Sequence, residues 1–244
     1  MEKFLPDGSM DLLIDLTDTP KKLYHDEAGT AYSTFSKSWI SGMKSEYILI
    51  DASVSSMIGV HFRPGGAWPF FRLPVSELNN QTIELDTFWR SGIHGVREQI
   101  LNTPSISEKF SVLEKYLYEK GKDRLEPNPV TGYAISQLLA SPQVWTIEKL
   151  SVKTGYTSKH LIHLFKKYAG LSPKTFARIC KFQLVIGEIE AQRRVEWAPL
   201  AYECGYYDQA HFIREFKAFS GINPTAYLLQ KGEYRNYLPV RAAG

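Results

Sequence analysis

The chain reads as an α+β protein of two domains: a β-rich N-terminal half with trailing helices, and an all-helical C-terminal half. Three observations predict this. Charge divides unevenly along the 244 residues. Residues 129–244 hold fifteen Lys and Arg against eight Asp and Glu, whereas residues 1–128 hold fourteen against eighteen. The division falls at Lys120-Gly-Lys-Asp-Arg-Leu-Glu-Pro-Asn-Pro129, a charged stretch with two prolines that suits an exposed linker. The hydrophobic pattern changes there too, from strand-like runs to a helical period. The expected boundaries are therefore 1–122, a linker at 123–128, and 129–244.

In the first half, Met10-Asp-Leu-Leu-Ile-Asp-Leu16, Tyr47-Ile-Leu-Ile50 and Met57-Ile-Gly-Val-His-Phe62 are apolar and β-rich. Pro6-Asp-Gly8, Gly42 and Pro64-Gly-Gly66 punctuate them. Helical spacing appears later: Ile106, Phe110, Leu113 and Leu117 follow Ser105 and Ser107, either of which suits an N-cap. Two helices, near 86–101 and 105–120, are expected to cover the sheet or to build a dimer interface. After the linker, Asn128 caps a helix with Pro129 at its first position. Further helices are expected near 146–153, 157–168, 172–191, 197–203, 208–219 and 223–231.

The second half contains its own copy. Leu150-Ser-Val-Lys-Thr-Gly155-Tyr156 recurs as Leu200-Ala-Tyr-Glu-Cys-Gly205-Tyr206. Thr157-Ser-Lys-His-Leu-Ile-His-Leu-Phe-Lys166 recurs as Asp208-Gln-Ala-His-Phe-Ile-Arg-Glu-Phe-Lys217, with Tyr207 as the single inserted residue. The register continues through Gly170/Gly221, Pro173/Pro224 and Phe176/Tyr227. Each unit is a short helix, a glycine turn, and a helix capped by Thr157 or Asp208. Leu161, Phe165 and Tyr168, like Phe212, Phe216 and Phe219, point inward at i, i+4, i+7. The opposite faces are basic and polar. This is the helix-turn-helix layout, whose second helix enters the major groove. Between the copies, residues 172–191 form a strut of roughly 30 Å if helical, near the roughly 34 Å between successive major-groove faces on one side of B-DNA.

Gly205-Tyr-Tyr-Asp-Gln-Ala-His-Phe-Ile-Arg-Glu-Phe-Lys217, followed by Gly221-Ile-Asn-Pro224 and Tyr227, resembles the signature of AraC/XylS-type transcriptional regulators. The resemblance covers roughly 130–232. It implies a seven-helix double helix-turn-helix DNA-binding domain, a bacterial cytosolic transcription regulator, and RNA polymerase as a partner. Pro6-Asp-Gly8 and Phe62-Arg-Pro-Gly-Gly66 resemble an N-terminal domain placed before such modules, which implies a cupin-like sensor of a small-molecule effector. Two positions depart from the pattern. Leu228 stands after Tyr227 where arginine is frequent, putting a backbone contact in doubt, and Glu215 replaces the apolar residue that the first copy has at Leu164, as an exposed position would allow.

The resemblance carries base reading to Lys159, Ile162 and His163 in the first unit, and to Gln209, Ala210, Ile213 and Arg214 in the second. The planar fork of Arg214 suits O6 and N7 of guanine, and Gln209 suits adenine. Ala210, Ile162 and Ile213 offer methyl groups to thymine, although Ile162 equally suits core packing. Lys166, Lys167 and Lys217 lie further along and suit phosphates, which set register without reading sequence. Thr157, Ser158 and Asp208 stand at the helix N-termini, where backbone amides bind phosphate.

Composition restricts other functions. With 43% apolar, 23% charged and 13% aromatic residues the chain has globular statistics. No apolar run approaches the roughly 18 residues of a membrane span, and Met1–Met10 lacks a signal-peptide pattern. Cys180 and Cys204 are too few for a disulfide framework or a four-ligand zinc site, so a reducing cytoplasm is expected. His160 and His163 are spaced like metal ligands, but no nearby carboxylate or cysteine completes a set, and His160 repeats as His211. His61 lacks the paired histidine of a cupin metal centre. No cofactor or metal is expected, and the alternative, a cupin-like small-molecule enzyme with a helical appendage, lacks a catalytic constellation in 1–128. Tyr32, Phe35, Trp39, Tyr47, Trp68, Phe70, Phe71, Phe88 and Trp89 suit either a ligand pocket or an ordinary core, and Arg63 either an anionic effector or a neighbouring acid. Double-stranded DNA, RNA polymerase, an effector and a homodimeric partner are the expected partners; membranes are not.

Overall fold

The computed structural model describes residues 1–51, 55–192 and 194–240. Short antiparallel strands build the first half. β1 (Glu2–Phe4), β3 (Lys21–Tyr24), β4 (Tyr32–Phe35) and β6 (Ile48–Ile50) make one sheet in the order β4-β3-β6-β1. β2 (Met10–Asp15), β5 (Ser38–Ser41), β7 (Met57–Phe62) and β8 (Thr82–Glu84) make a second, in the order β7-β2-β5-β8. The three expected strands are β2, β6 and β7; the others are three or four residues long, too short to carry an alternating pattern.

Alternation along β2 divides its side chains between two surroundings. Met10, Leu12 and Ile14 are buried in the core that also takes Ile93, Val96 and Ile100 of α2 (Ser91–Asn102) and Leu113 and Leu117 of α3 (Ile106–Gly121). Asp11 and Leu13 face the other way, into a cavity. A one-turn helix, α1 (Asp86–Trp89), precedes α2, and Ser105, not Ser107, caps α3 by accepting from Glu108 N.

Among the described residues the second half has seven helices, as expected: α4 (Pro129–Ala140), α5 (Ile147–Thr154), α6 (Ser158–Ala169), α7 (Pro173–Ala191), α8 (Trp197–Glu203), α9 (Gln209–Ser220) and α10 (Pro224–Gln230). Six of these starts, all but that of α8, follow from side-chain capping. Asn128, Thr146, Thr157, Ser172, Asp208 and Asn223 each accept the amide three residues on, and Pro129, Pro173 and Pro224 occupy a first position where a missing N–H costs nothing.

One element crosses the expected division at 129. After α10 the chain returns to the N-terminal sheet, where β9 (Tyr237–Pro239) pairs antiparallel with β1, Lys3 opposite Leu238. Without it β1 would present an open edge of unpaired backbone groups. Leu238 is 1% exposed, and the Tyr237 ring lies 5.1 Å from that of Phe4. A three-residue run offers sequence periodicity nothing to detect.

The centre of the helical half is α7. Phe176, Ile179, Phe182, Val185, Ile186 and Ile189 are fully buried. The Phe182 ring sits 5.2 Å from Phe216 and 5.1 Å from Phe219, both on α9. Phe182→Ala is therefore expected to destabilise the chain by about 3–5 kcal/mol, read as a lower midpoint in chemical denaturation of the full chain.

Candidate nucleic-acid interface

Both helix-turn-helix units are built by the same local rules. α5 ends on Gly155 (φ 73°) and α8 is followed by Gly205 (φ 78°), left-handed positions where a side chain would be strained. The chain then turns into the next N-cap. Thr157 Oγ1 accepts from His160 N at 3.3 Å, and Asp208 Oδ1 accepts from His211 N at 2.6 Å. Leu161 and Phe165 of α6, and Phe212, Phe216 and Phe219 of α9, are buried, which fixes the face each helix turns outward. Tyr168, expected inward, is only half-buried, its ring against Trp68 at 4.7 Å.

The outward faces match. On α6 they carry Lys159, Ile162, His163 and Lys166; on α9 they carry Gln209, Ala210, Ile213, Arg214 and Lys217, all exposed. Ile162 is 37% and Ile213 38% exposed at equivalent positions of the repeat, so the core-packing alternative for Ile162 does not hold. Among the described residues Lys159, Lys166, Arg214 and Lys217 make no ion pair. Thr157 and Asp208 are exposed at the helix starts, and Ser158 is half-buried.

Lys167 lies elsewhere. It is half-buried, with its ammonium 5.1 Å from the Trp68 ring centroid and 5.0 Å from that of Tyr168. Trp68 belongs to the N-terminal half, so Lys167 points towards that half and away from the outward face of α6. Glu215 also differs from the expected exposed position: it accepts from Arg178 of α7 through both oxygens, at 2.6 and 2.9 Å. This pair ties α9 to the strut and raises the Arg178 guanidinium above its ordinary range, chiefly through the hydrogen bond. Sequence reading missed Arg178 because its partner lies 37 residues away. It also passed over Tyr207, which is 90% exposed beside Asp208 and whose one signal was being the repeat's single insertion.

The histidines of the two copies have structural partners. His160 stacks on Tyr156 at 4.9 Å, and His211 meets Tyr206 edge-on at 5.6 Å. His61 Nδ1 sits 2.8 Å from Asp11 Oδ1. Burial pushes the thiols of Cys180 and Cys204 up to about 12, the opposite of what a nucleophile requires. Tyr227 is buried against Phe216, with Leu228 half-buried beside it.

A cavity of about 220 Å³ opens in the N-terminal half, lined by both sheets and by the tail. Phe35 and Trp39 line it, together with Phe4 and Tyr237; Tyr32, Tyr47, Trp68, Phe70, Phe71, Phe88 and Trp89 do not, and Arg63 borders a different cleft, shared with α4. Polar groups reach the cavity from Asp11, Lys21, Lys22, Ser41 and Thr82. Lys44 stands next to Thr82. Its ammonium is buried and donates to Gln81 O at 2.9 Å and Thr82 Oγ1 at 3.1 Å. Burial lowers it to about 8, partly countered by Asp11, whose own carboxyl is raised chiefly by desolvation.

Comparison with known proteins agrees with this architecture. Residues 150–230 match a helix-turn-helix domain family, and residues 1–84 match a domain of unknown function, DUF6597. An uncharacterized HTH-type transcriptional regulator from Haemophilus influenzae is 28% identical over 95 residues, 38% of this chain and 32% of that protein; the match spans about a third of the relative's length. Two structures of ToxT from Vibrio cholerae share the two-domain fold. One aligns at 10% identity and TM-score 0.52, the other, bound to (E)-4-(8-methylnaphthalen-1-yl)but-3-enoic acid, at 11% and 0.50; each alignment covers 94% of both chains. Fold and exposed helix pair thus define a two-domain protein carrying a double helix-turn-helix module. The module coincides with the residues 150–230 that match the helix-turn-helix domain family.

The Lys44 geometry predicts a pH effect. Its folded value lies below the ordinary lysine range, so above about pH 8 the unfolded chain binds a proton that the folded chain has released. Stability is therefore expected to gain from this group as pH rises from about 8 towards the unfolded lysine value, and Lys44→Met should flatten the rise in denaturation midpoints measured across that window.

Proposed function

We propose that the chain is a sequence-specific DNA-binding regulator of transcription, in which α6 and α9 enter two successive major-groove segments. The observation that carries this reading is the matched pair of outward faces. At equivalent positions of the repeat, each helix offers an exposed isoleucine flanked by a cation or imidazole free of ion pairing. Buried aromatic residues hold the backs of both helices, so these faces are rigid as well as exposed. Such surfaces suit direct readout: Arg214 for guanine, Gln209 for adenine, Ile162, Ala210 and Ile213 for thymine methyls, with Lys159 and His163 alongside them. Lys166 and Lys217 are assigned to phosphates, and Thr157, Ser158 and Asp208 to the helix starts that approach the backbone. Lys167 is set apart from this list by its stacking on Trp68.

The same reading assigns the N-terminal domain to an effector. Its support is the cavity between the sheets, with an aromatic wall and several polar groups, in a fold shared with a ToxT structure that holds an aryl-substituted acid. The chain then works in the cytoplasm alongside RNA polymerase. A second copy would pair through α3, where Ile106, Phe110 and Tyr118 are exposed.

Two substitutions separate the roles. Arg214→Ala is expected to cost about 1–3 kcal/mol on the selected site and to relax preference at one guanine; equal loss on scrambled DNA would remove its base-reading role. Lys166→Ala should weaken all sequences alike and reduce the slope of log affinity against log salt. An unchanged slope would reject the phosphate assignment.

A further inference from the structure

The two reading helices end alike. α6 stops at Gly170 (φ 93°) and α9 at Gly221 (φ 76°), equivalent residues of the internal repeat, and each end abuts the N-terminal domain. At the first, the Asn79 side-chain amide donates to Gly170 O, and a Cβ on Gly170 would come within 2.9 Å of Asn79 Oδ1 and 3.1 Å of Val75 Cγ1. At the second, a Cβ on Gly221 would come within 2.6 Å of Tyr47 Cε1 and 2.9 Å of Lys3 Nζ. Lys3 is 4% exposed, pairs with Glu27 at 2.7 Å and lies 4.4 Å from the Tyr47 ring centroid; Tyr47 in turn donates to Glu27. Both contacts place a donor at the carbonyl end of a helix, where the dipole is negative.

Between these ends the same domain also holds the strut. The Pro6–Gly8 turn lies on Phe176 and Ile179, and Gln183 donates to Pro6 O at 2.9 Å. The helical path is broken after Gly170, before α7, and ends again at Gln192, after it, so the direction of each reading helix is set by contacts with α7 and with the N-terminal domain together. A rotation at either joint would swing a reading helix out of its groove.

We propose that Lys3, Tyr47, Val75 and Asn79 are positioning residues, which grip the reading helices at Gly170 and Gly221 and thereby set the spacing at which the pair meets DNA. None of the four touches DNA. The inference rests on α6 and α9 reading DNA, and its test distinguishes the two claims.

The test is selection from random double-stranded DNA with the full chain and with a Lys3→Met, Asn79→Ala double variant. Both proteins are expected to enrich the same two half-sites, the wild type at one fixed separation near one helical turn. The variant should accept separations spread over two base pairs or more and bind the bipartite site about tenfold more weakly, with affinity for an isolated half-site unchanged. A merely structural role would weaken half-sites and bipartite sites together, and that result would overturn the proposal, as would a variant keeping the single wild-type separation. If the double variant does not fold, Asn79→Ala alone, with the Gly221 contact intact, reads the same spread. Enrichment of no sequence by the wild type would remove the DNA reading and this inference with it.

Discussion

The burial of one helix organises this molecule. α7 presents apolar residues on more than one side, and separate parts of the chain remove them from water. Phe176 meets Phe165 of α6, Phe182 meets Phe216 and Phe219 of α9, and the Pro6–Gly8 turn covers Phe176 and Ile179 from the N-terminal domain. Polar contacts follow the same lines: Arg178 to Glu215, Lys181 to Gly205 O, Gln183 to Pro6 O and to Asn236 of the tail. Burying large apolar side chains supplies the driving force, and the hydrogen bonds select one arrangement among the ways of burying them.

Because the backs of α6 and α9 are occupied by that core, their fronts are free. The repeat places equivalent residues on equivalent helical positions, and the shared packing turns both helices outward by the same face. The exposure of Ile162 and Ile213 follows from the burial of Leu161, Phe165, Phe212 and Phe216 beneath them. The cavity has a related origin. Met10, Leu12 and Ile14 of β2 point into the helical core, leaving Asp11 and Leu13 to face the space between the sheets. On β1 the same alternation sends Phe4 towards the cavity and Lys3 towards the end of α9.

Legibility differed between the halves for a physical reason. Helices of seven to nineteen residues with a 3.6-residue period, six of the seven with a capping side chain, state their positions locally, and those described in the second half lie close to the segments their patterns indicate. Strands of three or four residues carry too few alternations, and β1, β3, β4, β5, β8 and β9 also lack the unbroken apolar run that marked the equally short β6. The site residues on α6 and α9 were legible through the repeat. Lys167 was misplaced because a helical wheel shows which way a side chain points but not that Trp68, about a hundred residues earlier, stands there to receive it.

What the sequence by itself determined is whatever neighbouring residues settle among themselves: caps, glycine turns, the duplicated unit and the face each helix buries. Only the tertiary structure decided which residues distant in the chain would meet. Arg178 with Glu215, Lys3 and Tyr47 with Gly221, Asn79 with Gly170, and β9 with β1 are pairings whose partners lie tens to hundreds of residues apart. Such contacts depend on how preformed elements pack to exclude water from a common core, and that choice is made by shape and burial over the whole chain, beyond the reach of any local pattern.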